Sequence, residues 1–174
     1  TVKNYNVTFV AGTLTITKAP LTIKAGTYTK KQGEANPEFT LTYEGFKNNE
    51  TKDVLDKQPT VTCTATEASA PSEYPVTVSG AEADNYEISY VNGKLVVTQA
   101  DAVIIKVTDV TREYGAANPT FEYTVEGAAL DGIPEITCEA TPTSPVGTYP
   151  IVIKKGTVKN YNVTFVAGTL TITK

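Results

Sequence analysis

The chain has 174 residues, 40% of them hydrophobic, with 15 basic against 19 acidic side chains and no histidine. A net charge of −4 withholds the attraction that nucleic acid or an anionic membrane surface needs. The missing histidine removes Ser-His-Asp and Cys-His relays and the commonest zinc-ligand sets.

Thirty threonines alternate with Val, Ile, Leu, Tyr and Phe, a composition that suits pleated, half-buried strands. No apolar run reaches the roughly 20 residues that span a bilayer, and no signal-peptide pattern opens the chain. The first 18 residues, TVKNYNVTFVAGTLTITK, return unchanged as residues 157–174. With no methionine anywhere, the chain reads as a window on a longer tandem array. Residues 1–18 are then the closing hairpin of a preceding, truncated repeat. Such a hairpin is marginal alone in water, which leaves it three fates. It packs on the next module, stays mobile, or enters a neighbouring molecule in place of residues 157–174 as a hairpin-swapped dimer.

Module A follows at 21–98. An opening strand at 21–25 leads to alternating segments that turn Phe39, Leu41 and Tyr43, then Val61, Cys63 and Ala65, then Tyr74, Val76 and Val78 to one face. Between the second and third, NNETKDVLDKQ offers one or two helical turns with Asn49 as N-cap. If Asn92-Gly93 is a two-residue turn, Tyr90 faces Leu95 and Ile88 faces Val97 in a closing hairpin, with Tyr86 on the same side. After the short join QADA, module B at 103–174 repeats the plan. GEANPEFTLTYEG (33–45) matches GAANPTFEYTVEG (115–127), and PTVTCTAT (59–66) matches PEITCEAT (134–141). Its inward residues are Phe121, Tyr123 and Val125, then Ile136, Cys138 and Ala140, then Tyr149, Ile151 and Ile153. Phe165 faces Leu170 and Val163 faces Ile172 in its closing hairpin. Module B shortens the helical stretch to AALDGIP.

The expectation is a mostly β chain of two tandem small antiparallel β-modules, about six strands each, with at most one short helix in the first. An immunoglobulin-like sandwich and a β-grasp-like sheet both fit. At about 1.5–3 kcal/mol per large side chain fully buried, a dozen inward positions make a small core.

Sites for chemistry are scarce. Cys63 and Cys138 occupy equivalent inward positions and read as buried free thiols, because a disulfide would have to join two separate cores. Glu82, Asp84 and Asn85 resemble a cation loop, but module B places Thr157, Lys159 and Asn160 there, so a solvated loop is the better reading. Gly33 and Gly115, before Asn36-Pro37 and Asn118-Pro119, punctuate turns. The N-x-T triplets at Asn6, Asn49 and Asn162 read as strand and loop composition. Lys24 and Lys106 with Asn85 and Asn160 are the candidates for an intramolecular Lys–Asn cross-link, and no buried acid is identified to promote it. Tyr43, Tyr74, Tyr86, Tyr90, Tyr123, Tyr149 and Tyr161 fall on core faces. The surface aromatics left for a glycan or host protein are Tyr28, Tyr114 and Tyr5; the first two are the candidate ligand contacts. Neither a cofactor nor a metal is called for, and enzymatic activity is not expected.

REYGAANPTFEYTVEG (112–127), then GTYPIVI, then NYNVTFVAGTLTITK, resembles the MBG domain of the YGX type. Tyr114, Gly115 and Ala116 stand at the YGX signature, whereas module A has Gln32 before Gly33. The resemblance implies a tandem module of bacterial surface or secreted, adhesin-like proteins without a catalytic site. The expected function is therefore a non-catalytic extracellular stalk or spacer repeat, with neighbouring repeats as its partners. The alternative is weak multivalent binding of a glycan or host protein. Short joins at QADA and Ala19-Pro20 restrict bending, as a spacer requires.

Overall fold

The computed structural model describes residues 3–174; residues 1 and 2 of the expected leading hairpin lie outside the described residues. Fourteen strands occur among the described residues, seven per repeat. The first repeat holds β1 (Ala19–Ala25), β2 (Thr27–Lys31), β3 (Leu41–Glu44), β4 (Thr60–Cys63), β5 (Ser72–Ser79), β6 (Tyr86–Val91) and β7 (Gly93–Thr98). The second holds β8 (Val103–Val107), β9 (Val110–Glu113), β10 (Tyr123–Gly127), β11 (Glu135–Cys138), β12 (Gly147–Lys154), β13 (Val163–Val166) and β14 (Gly168–Thr173). The chain gathers into two compact units. One comprises residues up to Gly26, Phe39–Cys63 and Pro75–Lys94; the other comprises Thr27–Glu38, Thr64–Tyr74 and Leu95–Lys174.

The second unit contains the whole second repeat, as two sheets in the orders β10-β8-β13 and β11-β12-β14-β9. Antiparallel pairing joins β10 to β8, β11 to β12 and β12 to β14, while β13 runs parallel to β8 and β14 parallel to β9. The architecture is therefore sandwich-like, with mixed rather than purely antiparallel sheets. Period-2 alternation builds its core. Val103, Ile105 and Val107 from β8 meet Ile151 and Ile153 from β12 and Leu170 and Ile172 from β14, and Phe121, Tyr123, Cys138 and Phe165 pack at the margin. Val125 departs from the expected inward face and is 39% exposed.

The first unit contains a sheet of order β3-β1-β6, with β6 parallel to β1, and the antiparallel pair β4–β5. Its helical stretch reduces to a single 3-10 turn at Lys52–Val54. Thr51, not Asn49, is the cap, accepting from the Asp53 amide; Asn48 and Asn49 instead take left-handed φ of 53° and 60° in the preceding turn. No crossover helix of the β-grasp kind forms among the described residues.

The closing hairpins do not form. β13 and β14 belong to different sheets, as do β6 and β7, so Phe165 does not pair with Leu170 nor Tyr90 with Leu95. The inward alternation holds, but the partner strands are others. The glycine at each crossing serves close approach rather than a positive φ: a Cβ on Gly93 would lie 2.0 Å from the Gly26 carbonyl oxygen, and one on Gly168 would lie 3.0 Å from Val107 Cγ1.

The leading hairpin is also absent. Residues 3–18 form no strand, and Phe9, Leu14 and Ile16 are 92%, 86% and 88% exposed. Ordering the identical sequence at 159–174 takes β8, β12 and β9 as neighbours. The corresponding places are already filled by 86–98 and 163–173.

Candidate functional site

A side chain of the same chemistry recurs where the sequence looked merely polar. On β2 and β9 the inward positions carry Lys30 and Arg112, only 4% and 7% exposed. The Lys30 ammonium donates to the carbonyls of Glu34 at 2.8 Å and Thr66 at 2.7 Å. The Arg112 guanidinium donates to Asn118 Oδ1, the Glu113 carbonyl and the Thr141 carbonyl at 2.8, 3.0 and 2.6 Å. Asn36 and Asn118 each donate from Nδ2 at 2.7 Å, to the carbonyls of Ala65 and Ala140. Thus the loop after β2 and the loop after β9 are each tied from beneath by a buried cation and an asparagine. The Gly33 and Gly115 amides add a bond apiece, to the carbonyls of Glu67 and Pro142.

The first of these rigid tips meets the start of the second repeat. Lys31 Nζ contacts both carboxylate oxygens of Asp101 at 2.8 and 2.7 Å, while the Gln32 amide bonds within its own repeat, to the Thr98 carbonyl at 2.9 Å, as the Tyr114 amide does to Thr173. Asp101 raises the Lys31 pKa above its ordinary value. Gly33 sits so close to Tyr161 that an added Cβ would lie 3.0 Å from the ring. Asn162 Nδ2 donates to the Ala100 carbonyl at 3.0 Å, and the Val103 amide donates back to the Asn162 carbonyl at 2.9 Å. A cleft between Glu34, Asp101, Asp131, Lys159 and Tyr161 completes the joint. Because Lys31 and Asp101 are exposed, their attraction is screened by salt. The fit of Gly33 against Tyr161 carries more of the contact.

Tyr161 was expected in the core and is 49% exposed, while its counterpart Tyr86 is 4% exposed. The cause lies in the stretch that differs between repeats. Phe46 packs edge-on against Tyr86 at 5.4 Å, Tyr86 donates to Glu50 Oε2 at 2.5 Å, and the Lys47 amide donates to the Tyr86 hydroxyl at 2.9 Å. The second repeat has Ala128 for Phe46 and lacks that loop, so Tyr161 is left to cover Gly33.

The two aromatic candidates do not form a repeated platform. Tyr28 is half-buried on β2, and its counterpart is Val110; Tyr114 is 57% exposed after β9, and its counterpart is Gln32. Tyr5 is 80% exposed in the segment without strands. Cys63 and Cys138 are free and half-buried rather than buried. The cross-link pairs stay apart in role: Lys24 is ion-paired with Glu44 at 2.6 Å, and the Asn160 amide is committed to Asp131 and Ala129. Glu82 pairs with Lys57 at 3.2 Å. Among the described residues no three His, Cys, Asp or Glu side chains gather as a metal site, and no helix is long and apolar enough to cross a membrane.

A family model described as MBG domain (YGX type) matches residues 21–96 and again 103–171. No curated protein matches the chain.

Proposed function

Because this chain belongs to the MBG domain (YGX type) family, we propose that its two repeats, 21–98 and 103–174, act as a non-catalytic, semi-rigid spacer in the extracellular stalk of a bacterial surface or secreted adhesin-like protein. The observation that carries the reading is the joint at Gly33 and Tyr161, where the pinned tip of one repeat rests on the next. A spacer needs its repeats held in line, and a short linker with a fitted, hydrogen-bonded joint does this without any ligand. The surface location rests on the family resemblance.

Backbone 15N relaxation on the full chain tests the reading. Residues 27–38 and 64–74 share one rotational correlation time with 103–174 if the joint is rigid, and the Lys31→Ala, Tyr161→Ala variant separates them. Two correlation times in the unaltered chain would sink it.

Tyr114, 57% exposed on a rigid tip, favours the second reading, multivalent binding of a glycan or host protein. A multivalent display of the chain on arrayed glycans, mucins and matrix proteins decides that. Saturable binding lost in Tyr114→Ala supports it, and silence at high valency removes it.

A further inference from the structure

Each repeat carries a tyrosine at the same place, Tyr86 and Tyr161, and what stands over it differs at two further matched positions. In the first repeat Tyr43 stacks on Phe46 at 5.8 Å, and Phe46 meets Tyr86 edge-on at 5.4 Å. In the second, Val125 replaces Tyr43 and Ala128 replaces Phe46, and Val125 and Tyr161 are 39% and 49% exposed. The backbone brings both sets to the same starting point. A Cβ on Gly45 would lie 2.3 Å from the Pro20 carbonyl oxygen, and one on Gly127 would lie 2.2 Å from that of Ala102, so Phe46 and Ala128 leave their strands at equivalent places. We infer that this position selects the partner of the tyrosine. Ala128, with the short loop behind it, is the specificity determinant that admits the glycine tip of another repeat; Phe46, with the loop that supplies Lys47 and Glu50, shuts such a tip out.

The two partners exclude each other. Gly33, Ala128 and Tyr161 line one cleft, and a Cβ on Gly33 would already lie 3.0 and 3.1 Å from Tyr161 Cε2 and Cδ2. A larger side chain at position 128 takes the room of the tip. At Tyr86 that room is filled: Phe46 covers the ring, the hydroxyl is bonded to Glu50 and to the Lys47 amide, and only 4% of the residue is exposed. Covering groups of the same repeat are held beside the tyrosine by the fold, so they prevail over a tip that another repeat must bring. The selecting difference lies on the receiving side, because the tips are alike: Gly33 and Gly115 both have positive φ and both precede Asn-Pro. A repeat of the first kind therefore joins its predecessor without a glycine tip on its tyrosine. The inference rests on the stacking reading above and adds what chooses the partner.

Nuclear Overhauser contacts between the Gly33 α-protons and the Tyr161 ring, measured on the full chain, provide the test. Their absence from the unaltered chain would overturn the stacking reading and this inference with it. Given their presence, Ala128→Phe weakens them severalfold, and the new ring at position 128 contacts Tyr161 instead; Ala128→Ser leaves them as they were. A second variant guards against misfolding by a lone phenylalanine. It carries residues 46–54 in place of Ala128 and Ala129 and keeps Gly132, where a Cβ would lie 2.4 Å from the Thr157 carbonyl oxygen. This graft loses the Gly33 contacts to the same extent and buries the Tyr161 ring. Contacts that persist undiminished in the folded graft would overturn the inference and leave the stacking reading standing.

Discussion

Lys30 and Arg112 show how much one residue type at one position can organise. Each is a buried cation on an inward position, bonded to carbonyls of the tip loop and the loop beside it. Lys30→Met and Arg112→Met each leave carbonyls of the tip loop unpaired, and thermal or urea unfolding should register a loss of about 1–3 kcal/mol. A loss of under about 0.5 kcal/mol, the scale of ordinary surface changes, would mean the loops are not tied from beneath. TYTKK and VTRE lack an apolar alternation, so neither reads as a strand from its own pattern. The available signal was that the chemistry, a cation followed six residues later by Asn-Pro, recurs in the two repeats. Tyr86 offers a pH test. Its hydroxyl donates to Glu50, which raises its pKa above 10.0. A proton bound more tightly when folded stabilises the chain below pH 10 and stops doing so as the pH climbs through the folded value. The stability advantage over Tyr86→Phe should hold from neutral pH to about 9.5 and shrink above 10. An advantage that grew with alkalinity would contradict the assignment.

At the scale of elements, Gly33 and Gly115 form a natural comparison. Both have positive φ, +94° and +85°, so alanine costs each about 1 kcal/mol or more in backbone strain. Only Gly33 also has Tyr161 against it. Gly33→Ala should therefore destabilise more than Gly115→Ala, and Tyr161→Ala should cancel the excess in a double-mutant cycle. Equal costs and no coupling would remove the joint from the account. The strands themselves were largely legible: alternation placed Leu95, Val97, Ile151, Leu170 and Ile172 on the dry side, and they are buried. Pairing was not legible, because Asn92-Gly93 and Ala167-Gly168 satisfy the pattern of a tight turn equally well as that of a crossing between sheets. The choice is made by Gly26 and Val107, which approach from elsewhere in the chain. Residues 3–18 give the same lesson without any change of sequence. Strand formation in this segment is decided by neighbours and not by its own propensity. A synthetic peptide of residues 159–174 should accordingly show no β signal by circular dichroism in dilute buffer; a strong strand signal would contradict this.

Across the whole molecule, repetition preserves what builds a core and a tip, and varies what lies outside them. The loop that covers Tyr86 is missing from the second repeat, and the tyrosine freed by its absence becomes the surface against which Gly33 rests. Of the candidate site, the sequence exposed Gly33, Asn36, Gly115 and Asn118 only as turn residues, since the asparagines' ties to Ala65 and Ala140 and the contact of Gly33 with Tyr161 depend on segments far apart in the chain. The central claim is that the contact of Gly33 with Tyr161 is fixed. It is tested most directly by pulsed electron spin resonance between spin labels on Glu67 and Glu139, exposed positions on either side of the joint within one compact unit. The account predicts a single narrow distance distribution that broadens in the Lys31→Ala, Tyr161→Ala variant; a broad distribution in the unaltered chain, or one that the two substitutions leave untouched, would contradict it.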